Sequence, residues 1–262
     1  MVKHENFKTC GQSGFCKRNR ALADTVTSKG ASWTSPYQLD PNSVSLRNGQ
    51  LKGVISKTLE GEGEAVRLPL VITFLESGAV RVTVDEEKRQ NGDIKLRHGS
   101  PARKERYNEV AQWVLVGGLN TNKATTANIE QEATGILFGP DNKYEAIIKH
   151  SPFGIEFMKD DQVHIKFNER GFMNMEHWRP KVEKVQDEGG EQKEGENHAG
   201  GEHPRAELAV DESTWWEESF GGNTDSKPKG PESIGLDITF PGYSNVYGIP
   251  GHAGPLSLRE TR

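Results

Sequence analysis

Cysteine is scarce in this chain: two in 262 residues, too few for a disulfide scaffold. Long apolar runs are missing as well. No stretch approaches the roughly 18 consecutive apolar residues of a membrane-spanning helix, and the polar first residues are not a signal peptide's apolar core. Charge of one sign is not in excess either. With 33 basic and 38 acidic residues the formal net charge is -5, which gives no reason to expect nucleic acid or an anionic membrane as partner. Asn-x-Ser/Thr sequons are absent, so glycosylation offers no clue to compartment. No helical periodicity of ten or more residues stands out, which argues against the alternating strands and helices of a nucleotide-binding α/β domain. The catalytic motifs searched for are missing too: no Gly-x-Ser-x-Gly elbow, Walker loop, Gly-x-Gly-x-x-Gly or His-Glu-x-x-His.

What is present is a succession of short strand patterns. Asn48-Gly49 separates Val44-Ser45-Leu46 from an alternating stretch over 53–59, a hairpin signal. Residues 68–75 and 79–84 are β-branched on either side of Glu76-Ser77-Gly78, the strongest hairpin in the chain. Val80, Val82 and Val84 share one face and Arg81 and Thr83 the other, the period-two pattern of a half-buried antiparallel strand. Further strands are expected at 112–116, 134–138, 144–148, 154–158, 163–167 and 233–240, with Gly-Pro-Asp-Asn, Ser-Pro-Phe-Gly and Lys-Asp-Asp turns among them. The reading is a mainly β protein, a large antiparallel β-sandwich over 35–262 with an N-terminal extension over 1–34. It is interrupted at about 186–212 by a segment rich in Glu and Gly, expected to be a disordered acidic insertion because it has too little apolar surface to offset ordering entropy. His198 and His203 within it are read as solvated, not as metal ligands.

The two cysteines, Cys10 and Cys16, are separated by five residues in a Gly/Ser-containing turn followed by Lys17-Arg18-Asn19-Arg20. A single loop-closing disulfide is expected, and with it an oxidising compartment. Zinc would need four ligands, and His4 adds only a third. A redox pair would more usually be Cys-x-x-Cys. Other candidates have bland readings beside the sharp ones. Asp85-Glu86-Glu87 and Asp160-Asp161 could be glycosidase carboxylates, but that chemistry needs two acids facing each other across a sugar, and neighbouring acids are more often turn residues. Trp215-Trp216 could stack on a sugar ring or mark the chain's re-entry into a core. The basic run is either a docking patch or solvated surface.

Three blocks then carry a resemblance: the opening 6–18 with its two cysteines, residues 225–237 (Asp-Ser-Lys-Pro-Lys-Gly-Pro-Glu-Ser-Ile-Gly-Leu-Asp), and 246–253 (Val-Tyr-Gly-Ile-Pro-Gly-His-Ala). In this order they resemble the N-terminal region of the glucosidase II catalytic α subunits within glycoside hydrolase family 31. The resemblance implies a galactose-mutarotase-like sandwich. It also implies an endoplasmic reticulum enzyme that trims α-1,3-linked glucose from N-linked glycans with retention, needs no cofactor and pairs with a noncatalytic β subunit. Both catalytic aspartates of the family lie in a (β/α)8 barrel. No barrel motif such as Trp-x-Asp-Met-Asn-Glu occurs here, so no catalytic residue is expected in this chain. Gly251 stands where the family usually has Glu, and nothing is carried over to it or to His252. Met1 reads as an added start on a mature N-terminus, and the ending as a nick or a separate N-terminal piece held to the remaining α subunit by sheet contacts. The alternatives are a stand-alone carbohydrate-binding module or an adhesion-type sandwich.

Overall fold

A computed structural model describes residues 7–59, 65–87, 121, 127–177, 213–227, 233–248 and 255–258. The expected strand at 112–116, the acidic insertion with His198 and His203, and Gly251 and His252 lie outside these residues. The first sheet is formed by β1 (Tyr37–Leu39), β2 (Ser45–Arg47), β3 (Gln50–Lys57), β4 (Val66–Phe74) and β5 (Val80–Val84). Its order is β1-β3-β4-β5, with β2 also paired to β3. The second contains β6 (Ala127–Ile129), β7 (Ala133–Phe138), β8 (Tyr144–Lys149), β9 (Gly154–Lys159), β10 (Gln162–Phe167) and β15 (Ile238–Thr239). Its six strands run β15-β10-β9-β8-β7-β6, and each pairing is antiparallel. Two small ladders stand apart: β11 (Asn174–Met175) with β14 (Ile234–Gly235), and β12 (Glu217–Phe220) with β13 (Asn223–Ser226). Among the described residues the expectation of an antiparallel β architecture is met.

Alternation builds the core. In β4 every second residue, Val66, Leu68, Leu70, Ile72 and Phe74, is buried, as period two requires when one face meets another sheet. Leu51 and Ile55 of β3 join them from the first sheet, and Ile136, Phe138, Ala146, Ile148 and Ile155 face them from the second. Phe74 and Phe138 pack ring to ring at 4.9 Å between centroids. Pro69 is tolerated within β4 because its carbonyl accepts from Asp85 N, just past the end of the β5 strand, so its missing N–H interrupts no ladder. Asn48 and Gly49, both at positive φ, form the tight β2–β3 turn that their sequence signalled. At one end of the sandwich the Tyr144 ring lies against two turns: a Cβ on Gly78 would come 2.5 Å from it and one on Gly139 2.3 Å. Both glycines have positive φ, so the backbone and the space exclude a side chain together.

The largest departure from the sequence reading is a helix. Residues Gly14–Lys29 form a 16-residue helix, α1, where no helical periodicity was recognised. The physical reason is how little of it is buried. Only Gly14 and Val26 are buried within it, so no broad apolar stripe marks the sequence. Terminal signals were there instead: Ser13 stands at the N-cap, Gly30 at the C-cap and Lys29 in the last turn. Polar contacts dock α1. Gly14 N donates to Glu218 Oε1 at 3.0 Å, filling one of the amides a helix start leaves without an internal partner. Arg18 Nε pairs with Glu176 Oε1 at 2.5 Å, while Ser233 N donates to the other oxygen of that carboxylate at 3.2 Å.

Glu218 is the hub of this arrangement. It is 4% exposed and accepts from Lys8 Nζ at 2.8 Å and from Lys227 Nζ, while Lys8 also bonds Asp225. Burial alone would push its carboxyl up. The hydrogen bonds from Lys227 and Lys8 together outweigh that and hold it at about 2. A folded-state value below the unfolded one contributes stability that is present above the unfolded pKa and is lost as pH falls toward the folded value.

Two outcomes are expected in denaturant unfolding of the chain. Leu51→Ala, at a position with no exposure, should destabilise by about 2–5 kcal/mol, whereas Leu137→Ala, 45% exposed, should stay within about 0.5 kcal/mol. Glu218→Gln should destabilise at pH 7 by about 3 kcal/mol. Its deficit relative to the unsubstituted chain should shrink as pH is lowered from about 5 toward 2, and a deficit that stays constant would contradict the buried-carboxylate account.

Candidate functional site

The cysteine loop lies directly against this carboxylate hub. Thr9 O accepts from Gln12 N at 3.0 Å and from Ser13 N at 3.1 Å, and Thr9 N donates to Gln12 Oε1 at 2.9 Å. These bonds wind residues 9–13 into a turn that delivers Gly14 to Glu218 and starts α1. Cys10 is exposed in the turn and Cys16 is half-buried in the first helical turn. The two are not linked to each other in the structure, which does not test the disulfide expected between them. Main-chain and Gln12 contacts close the turn that carries Cys10. Lys8 on one side of the pair and Gly14 between its members both reach Glu218, so the segment bearing the thiols is fixed from two points.

The remaining candidates resolve into structural roles. Asp160 and Asp161 both have positive φ and form the two-residue tip between β9 and β10, the turn role their sequence suggested. Of the second acid group, Glu87 pairs with Arg67 at 3.3 Å and Glu86 is buried rather than solvated. No adjacent pair is split between facing elements, the arrangement that glycoside hydrolysis requires. A groove of about 220 Å³ beside the β9–β10 tip is lined by residues that include Leu137, Tyr144, Glu145, Met158 and Asp160. Among the described residues no three of His, Cys, Asp and Glu gather to hold a metal. Trp215, in the short helix α2 (Ser213–Trp216), is buried, which favours re-entry into packed protein over a sugar platform. In the basic run Lys17 and Arg20 are exposed, while Arg18 is taken up by Glu176.

Buried polar residues that the sequence does not signal include Glu218, His150 and Tyr37. His150 is 3% exposed, with Nδ1 3.1 Å from Gln131 O and Nε2 2.9 Å from Thr134 Oγ1. A carbonyl only accepts, so this network assigns the proton to Nδ1 and leaves Nε2 to accept from the threonine hydroxyl. Both ring nitrogens are engaged, and the histidine serves the fold. Tyr37 lies in the core, its hydroxyl accepting from Met175 N at 2.8 Å, and burial holds the phenol above its usual range. No catalytic set is assembled among the described residues.

Comparison with known proteins gives this geometry its context. The family model of the glycosyl hydrolase 31 N-terminal galactose mutarotase-like domain matches residues 69–262. The glucosidase 2 subunit alpha of Schizosaccharomyces pombe is 34% identical over 97% of the chain, which covers 25% of that protein. The human neutral alpha-glucosidase AB is 30% identical over 99% of the chain and is likewise covered over 25% of its length. A Tris-bound crystal structure of a glucosidase II alpha subunit is 52% identical, with a TM-score of 0.77, over 100% of this chain and 26% of its own. An ER glucosidase II heterodimeric complex of the catalytic subunit and the binding domain of the regulatory subunit aligns at the same identity and TM-score over 98% of this chain and 25% of its own. The chain thus spans about a quarter of the length of these relatives. The two-sheet architecture and the extent of the family match converge: the chain belongs to glycoside hydrolase family 31, as its N-terminal galactose-mutarotase-like domain.

Proposed function

We propose that this chain is the noncatalytic sandwich of a glucosidase II-type α subunit. It supports a (β/α)8 barrel that removes α-1,3-linked glucose from N-linked glycans in the endoplasmic reticulum lumen. Hydrolysis there proceeds with retention, through an aspartate nucleophile and an aspartate acid/base located in the barrel. The β subunit of glucosidase II is its partner. The observation that carries this reading is the 52% identity over the whole chain to solved glucosidase II alpha subunits of which it covers about a quarter. The sandwich's contribution is mechanical: a rigid two-layer body whose packed core gives the barrel a fixed neighbour. In the oxidising lumen Cys10 and Cys16 pair, losing two protons and two electrons to a disulfide-bearing oxidant. Their placement in one hydrogen-bonded turn supports the pairing.

Two measurements test this. A fluorogenic α-glucoside should be hydrolysed by the full-length α subunit and not by residues 1–262 alone. Hydrolysis by the isolated chain would overturn the noncatalytic assignment, and glycan-array binding by the isolated chain would favour a carbohydrate-binding module. Alkylation without reductant should leave the intact mass of the lumenal protein's 1–262 portion unchanged; addition of two alkyl groups would show that the thiols stay free.

A further inference from the structure

Residues 233–240 present their apolar side outward. Ile234, Leu236 and Ile238 are 51%, 36% and 50% exposed, whereas the intervening Gly235, Asp237 and Thr239 are half-buried. A shift of one residue would reverse the two faces and bury the three apolar side chains, so something must hold this register. Two contacts do. The Asp237 carboxylate accepts from Arg170 N at 2.8 Å and Phe172 N at 2.9 Å, and its main-chain carbonyl accepts from Asn168 N at 2.9 Å. Gly235 lies against α1, where a Cβ would come 2.4 Å from Asn19 Oδ1. A slipped register would bring a large aliphatic residue to each of these places. The outward apolar row is therefore fixed by polar bonds and by close packing on its inner side.

Further exposed apolar residues follow along the chain. Tyr243, Tyr247 and Leu256 are 54%, 66% and 84% exposed. Six of the nine large exposed hydrophobics among the described residues thus fall between 234 and 256, a concentration that single scattered surface residues do not give. We propose that this strip is the surface covered by the catalytic part of the α subunit. The inference rests on the proposed role of the chain as one portion of that subunit. The stretch lies in the last part of the matched family domain, and the relatives carry about three quarters of their length outside the region matched here. Polypeptide joined to this domain meets an adjoining apolar strip at high effective concentration, without the association entropy that a separate partner must overcome.

Hydroxyl-radical footprinting of the unsubstituted full-length α subunit reads this directly. Corrected for intrinsic reactivity, Leu236, Ile238, Tyr243 and Tyr247 should oxidise at least about fivefold more slowly than Ile129 and Leu137, which are 47% and 45% exposed on the β6–β7 side. Equal rates would overturn the proposal. Protection that disappears on dilution would instead indicate a second copy of the chain, and protection seen only after the regulatory subunit is added would indicate that partner; either also overturns it. α-Glucosidase activity of the same preparation separates the two levels. An active subunit with a reactive strip refutes only the docking surface, whereas an inactive subunit with a protected strip refutes the functional reading and leaves the docking surface standing.

Discussion

The burial of one face of β4 is the constraint on which the rest depends. Val66, Leu68, Leu70, Ile72 and Phe74 have to be covered together because they alternate on a single strand, and only a second sheet offers a surface wide enough. At roughly 1.5–3 kcal/mol for each fully buried large aliphatic or aromatic side chain, that row outweighs any single polar contact described above. It also sets the position of the second sheet, since Phe138 must meet Phe74, and Tyr144 must fit against Gly78 and Gly139. The turns at that end follow from the ring they surround.

Outside the sandwich the logic changes from apolar burial to charge. Helix α1 buries few side chains and would be marginal alone, so its place is set by Glu218 and Glu176. Such contacts are directional where hydrophobic burial is not. They fix which residue of the helix faces which residue of the body, at the expense of desolvating two carboxylates. Each carboxylate is compensated by a cation and a main-chain amide, the arrangement that makes a buried charge tolerable.

The sandwich was legible in the sequence because alternation, β-branching and turn residues agree over 45–84 and 133–167. Helix α1 was not, because polar docking leaves no apolar stripe to detect; only its end signals, Ser13 and Gly30, were available. The ladders β11–β14 and β12–β13 escaped for a related reason. β11 and β14 are two residues long and far apart in sequence, while β12 and β13, though joined directly through Gly221-Gly222, are mostly polar and show no apolar alternation. Residues 233–240 were readable as an alternating stretch, but which face points inward was not, since that depends on Asn168, Arg170 and Phe172 meeting Asp237. Of the site, the absence of a catalytic motif was readable, whereas a buried histidine bonded on both nitrogens looks, in sequence, like any other histidine.

The Glu218 hub also governs timing. Gly14 and Glu218 are 204 positions apart, so the loop they close is nearly as long as the chain itself. During synthesis from the N-terminus, α1 has no docking carboxylate at its start until residue 218 has emerged, by which point both halves of the sandwich core have been made. This early segment of the chain is thus among the last to reach its place. Throughout that interval its two thiols remain open to whatever oxidant or isomerase the compartment supplies.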